Sequence, residues 1–159
     1  MDEVWLDNRQ TIVVEPVKVN LMSISGRITE KNNDSPGAEG IGNVIDGNPG
    51  SKYLTRKPTT WMMWHMDRPF VANNYELTAA NDAPERDPKD WKLEGSNDGV
   101  NWTLLDQQSG ITFPTRFYKR KFVITNPGEY SYYRIDITAN NGASIFQLAD
   151  WILYYDSAQ

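Results

Sequence analysis

A chain of 159 residues fits one domain and can bury about two-thirds of the surface its unfolded form exposes, so no second domain is needed. Its 39% hydrophobic and 12% aromatic content, with six Trp and eight Tyr, excludes a disordered segment. A net charge of -5 and an isoelectric point near 4.9 argue against nucleic acid or an anionic membrane as partner, since both demand a basic face. The lack of cysteine removes thiol catalysis, thiolate metal sites and disulfides together.

Residues 1–11 are polar, with Trp5 and Leu6 as their large apolar groups, and read as a terminal extension or linker end; residues 12–159 read as a single domain. Ile12-Val13-Val14 and Val17-Lys18-Val19-Asn20-Leu21 are β-branched and partly alternating, which predicts a strand interrupted at Pro16. Residues 31–51 are mostly Asn, Asp, Ser, Pro and Gly, a long loop that a bound metal would order. From Trp61 onward short strand-like runs follow one another, at residues 62–66, 75–79, 91–94, 102–105, 117–124, 132–137 and 151–155. Turn clusters separate them, among them Asn97-Asp98-Gly99, Asn126-Pro127-Gly128 and Asn140-Asn141-Gly142. No window carries a sustained helical stripe, so helix is expected to be scarce and the pattern indicates a β-sandwich or barrel. No run approaches 18 consecutive apolar residues, and Met1-Asp2-Glu3-Val4-Trp5 lacks the basic and apolar regions of a signal peptide. A piece of a larger secreted protein and an intracellular protein both fit that start.

The stretch Asn43-Val44-Ile45-Asp46-Gly47-Asn48-Pro49-Gly50-Ser51 draws the most attention. Side-chain oxygens at Asp46, Asn48 and Ser51 sit on a backbone that Gly47 and Pro49-Gly50 force to turn, which is how oxygens converge on a hard cation such as calcium. An EF-hand is excluded, because its loop needs Gly where Ser51 stands and a bidentate Glu where Lys57 stands. One carboxylate is too few for calcium, so either a second arrives from elsewhere or the stretch is a plain turn.

Three segments together resemble factor V/VIII type C, or discoidin-like, domains: residues 43–51; Asp90-Trp91-Lys92-Leu93-Glu94-Gly95-Ser96-Asn97-Asp98-Gly99-Val100-Asn101-Trp102; and Tyr133-Arg134-Ile135-Asp136-Ile137 leading to Gln147-Leu148-Ala149-Asp150-Trp151-Ile152-Leu153-Tyr154. Within that group the likeness is greatest to family 32 carbohydrate-binding modules, and it runs from about Ser25 to Tyr155. The resemblance implies an all-β, galactose-binding-domain-like jelly-roll sandwich of about eight mainly antiparallel strands. It also implies one structural calcium, held by the carbonyl of Asn43, the Asp46 carboxylate, Asn48, Ser51, the carbonyl of Ala149 and the Asp150 carboxylate. Ser51 and Asp150 depart from the Thr and Glu usual in the family, and Asp is one methylene shorter than Glu. Trp102 is expected to anchor its strand in the core, and Trp64 and Trp91 to be core residues.

Such modules bind sugars through loops at one end of the sandwich, an aromatic ring facing the sugar and polar groups bonding its hydroxyls. The corresponding candidates are Trp61, Arg86, Phe113, Asn141 and His65. Each has another reading: Arg86 as a local ion-pair partner of Glu85 or Asp87, His65 as a packed strand residue, Trp61 as a cap on the core. Enzymatic readings are thin, since a single His and no Cys permit no zinc motif or thiol nucleophile, and a Glu85/Asp87 carboxylate pair is the remaining option. The expected function is therefore a non-catalytic, monomeric carbohydrate-binding module of a larger secreted glycoside hydrolase, located outside the cell, in the periplasm or at the cell surface. A structural or adhesion module that docks on protein is the alternative; membrane-binding relatives typically carry a disulfide and basic residues.

Overall fold

The computed structural model describes residues 15–159. The extension at residues 1–11 and the strand expected at Ile12-Val13-Val14 lie outside them. The described residues contain eleven strands: β1 (Lys18–Asn20), β2 (Gly26–Glu30), β3 (Tyr53–Thr55), β4 (Thr60–Val71), β5 (Asn74–Thr78), β6 (Pro88–Ser96), β7 (Thr103–Gln108), β8 (Lys119–Val123), β9 (Glu129–Asn140), β10 (Phe146–Leu148) and β11 (Asp150–Asp156). Helix among the described residues is confined to three 3-10 turns, at Leu21–Ser23, Ile41–Ile45 and Pro84–Arg86.

The strands form an antiparallel jelly-roll sandwich. A five-stranded sheet in the order β2-β4-β9-β6-β7 faces a four-stranded sheet in the order β1-β11-β5-β8, and β3 pairs with β10 beside them. Side-chain alternation dictates which face turns inward. Along β4, Met62, Trp64 and Met66 are buried while Trp61, Met63 and His65 are half-buried on the outer face. Along β9, Tyr133, Ile135 and Ile137 point in, and Tyr132, Arg134 and Asp136 point out. The β4–β9 register breaks between His65 and Phe70, where Pro69 has no amide to give the ladder.

Trp91, Trp151, Tyr75, Tyr133 and Phe146 fill the space between the sheets. Two of their polar ends are satisfied across it: the Trp91 indole donates to the Tyr75 hydroxyl (2.8 Å), which donates to the buried Asp106 carboxylate (2.7 Å), whereas the Trp151 indole has no partner among the described residues. Trp64 and Trp91 lie in this core. Trp102 does not. It is half-buried on the outer face of the five-stranded sheet, where the Arg134 guanidinium lies 3.9 Å from the centre of its ring and is itself bonded to Glu94. The hairpin that carries it turns as expected, with Gly99 at φ +73° and the Asp98 carboxylate accepting the Val100 and Asn101 amides.

Candidate functional site

Three connections gather at one end of the sandwich, and the hydrogen bonds between them explain why. The β5–β6 loop enters its 3-10 turn through Ala83 at φ +49° and delivers Asp87, 1% exposed, beneath the β7–β8 loop. There Arg116 clamps it in two-point fashion, Nη1 to Oδ1 at 3.0 Å and Nη2 to Oδ2 at 2.5 Å, and also donates to the Asp82 carbonyl at 3.1 Å. Burial pushes the Asp87 carboxyl upward and the guanidinium pulls it back, with burial the larger influence. The β9–β10 loop is tied on by Asn141, whose backbone amide reaches the Asp87 carbonyl (3.1 Å). Its side-chain amide lies within reach of the carbonyls of Asp87 (3.1 Å) and Pro88 (3.2 Å). Between the three loops lies a cavity of about 300 Å3 lined by Pro84, Glu85, Asp87, Thr112, Phe113 and Asn141. It combines a ring, two carboxylates, a hydroxyl and an amide.

The loop at residues 43–51 is built separately. Its 3-10 turn is anchored by the fully buried Val44, and the Asn43 side chain donates to the carbonyls of Ala38 (2.8 Å) and Lys52 (2.7 Å), which draws the two ends of the loop together. Asp46 accepts the Asn48 amide at 2.8 Å and the Ser51 hydroxyl, and Asn48 Oδ1 accepts the Gly50 amide at 2.9 Å. Asp150 opens β11 nearby. It is 9% exposed, and among the described residues its Oδ1 has no hydrogen-bond partner. Burial first, then the Asp46 charge, push its pKa up to about 6 against a smaller pull from Lys119. A buried carboxylate with an idle oxygen beside a second carboxylate is the arrangement a hard cation neutralises, so these residues fit calcium. Among the described residues no three His, Asp or Glu side chains converge, so a cation here would draw its remaining ligands from neutral oxygens.

Residues 27–150 match the family model of the F5/8 type C domain. The chain belongs to that family. Among solved structures, the family 32 carbohydrate-binding module of Clostridium perfringens NanJ, in complex with galactose, superposes with a TM-score of 0.69 at 14% identity, covering 87% of this chain and 100% of that one. The family 32 module of Streptococcus pneumoniae EndoD gives 0.69 at 14% identity, covering 85% and 98%. A chitosan-binding module from a Paenibacillus chitosanase/glucanase gives 0.67 at 13%, covering 84% and 98%. Among curated proteins, the peptide-N(4)-(N-acetyl-beta-glucosaminyl)asparagine amidase of Arabidopsis thaliana is 60% identical over 55 residues, a stretch that covers 34% of this chain and only 8% of that relative. An F5/8 type C domain is a non-catalytic kind of module.

In this F5/8 type C domain the five sugar-site candidates fall in different places. Phe113 and Asn141 share the loop-end cavity, and Phe113 is 5% exposed, packed into the main core with part of its surface lining the cavity. Arg86 leaves the same 3-10 turn but donates to Gln147 Oε1 at 3.3 Å; the local ion pair weighed for it is made instead by Arg116, 29 residues beyond Asp87. Trp61 and His65 sit on the outer face of β4, in register with Asp136 and Tyr132, and the His65 ring stacks on Tyr132 at 3.8 Å. Sequence reasoning passed over Thr112, whose cue was its place beside Phe113 in a loop bounded by Gly110 and Pro114. It also passed over a polar cluster beside β10, where Asp82 accepts from Lys52 (2.9 Å) and Gln147 (3.0 Å).

Proposed function

We propose that this F5/8 type C domain is a carbohydrate-binding module that takes a terminal sugar of a glycan in the loop-end cavity and performs no chemistry on it. The observation that carries the reading is the convergence there of Phe113, Asn141, Glu85 and Thr112 from three separate loops. A half-open cavity with an apolar wall and a few polar groups suits a ring with one C–H face and hydroxyls at its edge. Catalysis by the Glu85/Asp87 pair is disfavoured because Arg116 occupies both oxygens of Asp87, leaving no free second carboxylate. The galactose and chitosan named for two of the structural neighbours, and the glycan-processing activity named for the curated relative, point to the same ligand class. We place the module in a secreted or surface glycan-degrading protein, where modest affinity per site raises the effective substrate concentration.

One structural calcium completes the reading, with Asp46 and Asp150 supplying charge and Asn48, Ser51 and the carbonyls of Asn43 and Ala149 supplying neutral oxygens. When bound, the ion neutralises both carboxylates and fastens the 43–51 loop to β11. A glycan array on the protein in calcium tests the sugar site, with Thr112→Trp, which fills the cavity from an exposed position, and Phe113→Ala alongside. Selective binding by the wild type, with at least one bound glycan lost in folded Thr112→Trp, is the expected result. Silence across the array with the fold intact would replace the reading with that of a structural or protein-docking module.

A further inference from the structure

A second cavity, of about 370 Å3, lies on the outer face of the four-stranded sheet and shares no lining residue with the first. β5 contributes Glu76 and Thr78, β8 Lys119, β11 Asp150, the 43–51 loop Pro49, and the turn before β8 Phe117. Three features make it more than a hollow between loops. Phe117 is 49% exposed and holds φ at +62°, a left-handed conformation that costs free energy in any residue with a Cβ, and such strain collects at ligand clamps. The Thr78 hydroxyl, on a residue 2% exposed, has no hydrogen-bond partner among the described residues. Finally, Glu76 Oε1 and Lys119 Nζ stand 3.9 Å apart, an acceptor and a donor side by side beneath an exposed ring.

We propose that this cavity is a second saccharide site, in which a pyranose lies against Phe117 while neighbouring hydroxyls donate to Glu76 and accept from Lys119. The Thr78 hydroxyl gains its missing partner from the same ligand. A carboxylate and an ammonium together suit a vicinal diol, since each sugar hydroxyl can both give and take a hydrogen bond. The cavity size falls in the range of small-molecule sites. The argument stands on Phe117, Glu76, Thr78 and Lys119, and does not require the loop-end cavity to bind.

The test is a titration of nitrogen-labelled protein with galactose, N-acetylgalactosamine and glucosamine, followed by amide chemical shifts in calcium and again in EGTA. The expected result, for at least one sugar, is a set of saturating shifts at Glu76, Thr78, Phe117 and Lys119. These should weaken about tenfold in Phe117→Ala and in Lys119→Met, and persist in Thr112→Trp. Both positions are exposed, so the two variants keep the fold. The inference is overturned if none of the three sugars moves those amides in either condition, if the shifts survive unchanged in both variants, or if they disappear in Thr112→Trp. The last outcome would mean that the loop-end cavity is the sole site.

Discussion

Phe117 spends backbone strain on an exposed ring, which is a poor arrangement for stability and a reasonable one for binding. Left-handed backbone costs a residue with a Cβ about 1–2 kcal/mol, and glycine bears it freely. Phe117→Gly is therefore expected to raise the melting temperature by about 2–4 °C, the shift that ~1 kcal/mol net produces in a domain of this size, while weakening sugar binding at the second cavity about tenfold, as Phe117→Ala does. Calorimetry showing a lower melting temperature would mean that the ring packs against the sheet more than its exposure indicates. Asp150 carries the opposite kind of cost. Without calcium its carboxyl is raised from 3.8 to about 6, so between those values the folded protein holds a proton that the unfolded chain has released. Its contribution to stability is then full below about pH 4 and is lost as pH rises through about 6, by up to about 3 kcal/mol. Urea unfolding in EGTA at either end of that window, compared between wild type and Asp150→Asn, reads this out; equal pH slopes in the two proteins would refute it.

At the scale of elements, the loop end depends on the Arg116 clamp more than on any local turn preference. Arg116→Met leaves the Asp87 carboxylate buried without its partner, and is expected to cost about 3–5 kcal/mol and to open the first cavity. A loss below about 1 kcal/mol in denaturant unfolding would show that water reaches Asp87 once the arginine is gone. This clamp also marks where sequence reading stops. Strands β4, β9 and β11 were legible because one face of each is buried and the other is not, which writes a period of two into the residues. β3 and β10 were missed because all three residues of each are buried, so no alternation is present. With β2, which no run in the sequence marks either, they raise the count to eleven from the about eight expected. Phe113 and Asn141 were legible as loop residues at one end of a sandwich. The partners of Asp87 and Arg86 were not, since both come from distant segments brought in by tertiary packing. Trp102 was misplaced for a related reason: the hairpin sequence predicts the turn, but which face receives the ring depends on the register of β7 with β6 and on Arg134, which β9 brings to the other side of β6.

For the whole molecule, the 43–51 loop matters because of what it touches. β11 pairs with both β1 and β5 at the middle of the four-stranded sheet, so the proposed cation, if shared by Asp46 and Asp150, would tie a long surface loop to a central strand. Binding to the folded state alone adds stability as the logarithm of ligand over Kd, about 2.7 kcal/mol at a hundredfold excess. In a domain of this size that corresponds to a rise of about 5–10 °C in melting temperature when calcium replaces EGTA. Asp46→Ala and Asp150→Asn should both abolish the rise, but they differ in the absence of metal. Asp46→Ala also loses the bonds to the Asn48 amide and the Ser51 hydroxyl, so it melts below the wild type in EGTA. Asp150→Asn removes a buried charge with an idle oxygen, so it melts at or above it. That divergence separates a metal ligand from a merely structural carboxylate. A wild-type melting curve unmoved by EGTA would remove calcium from the account altogether, leaving the loop held by Val44, the Asn43 amide and the loop's own hydrogen bonds.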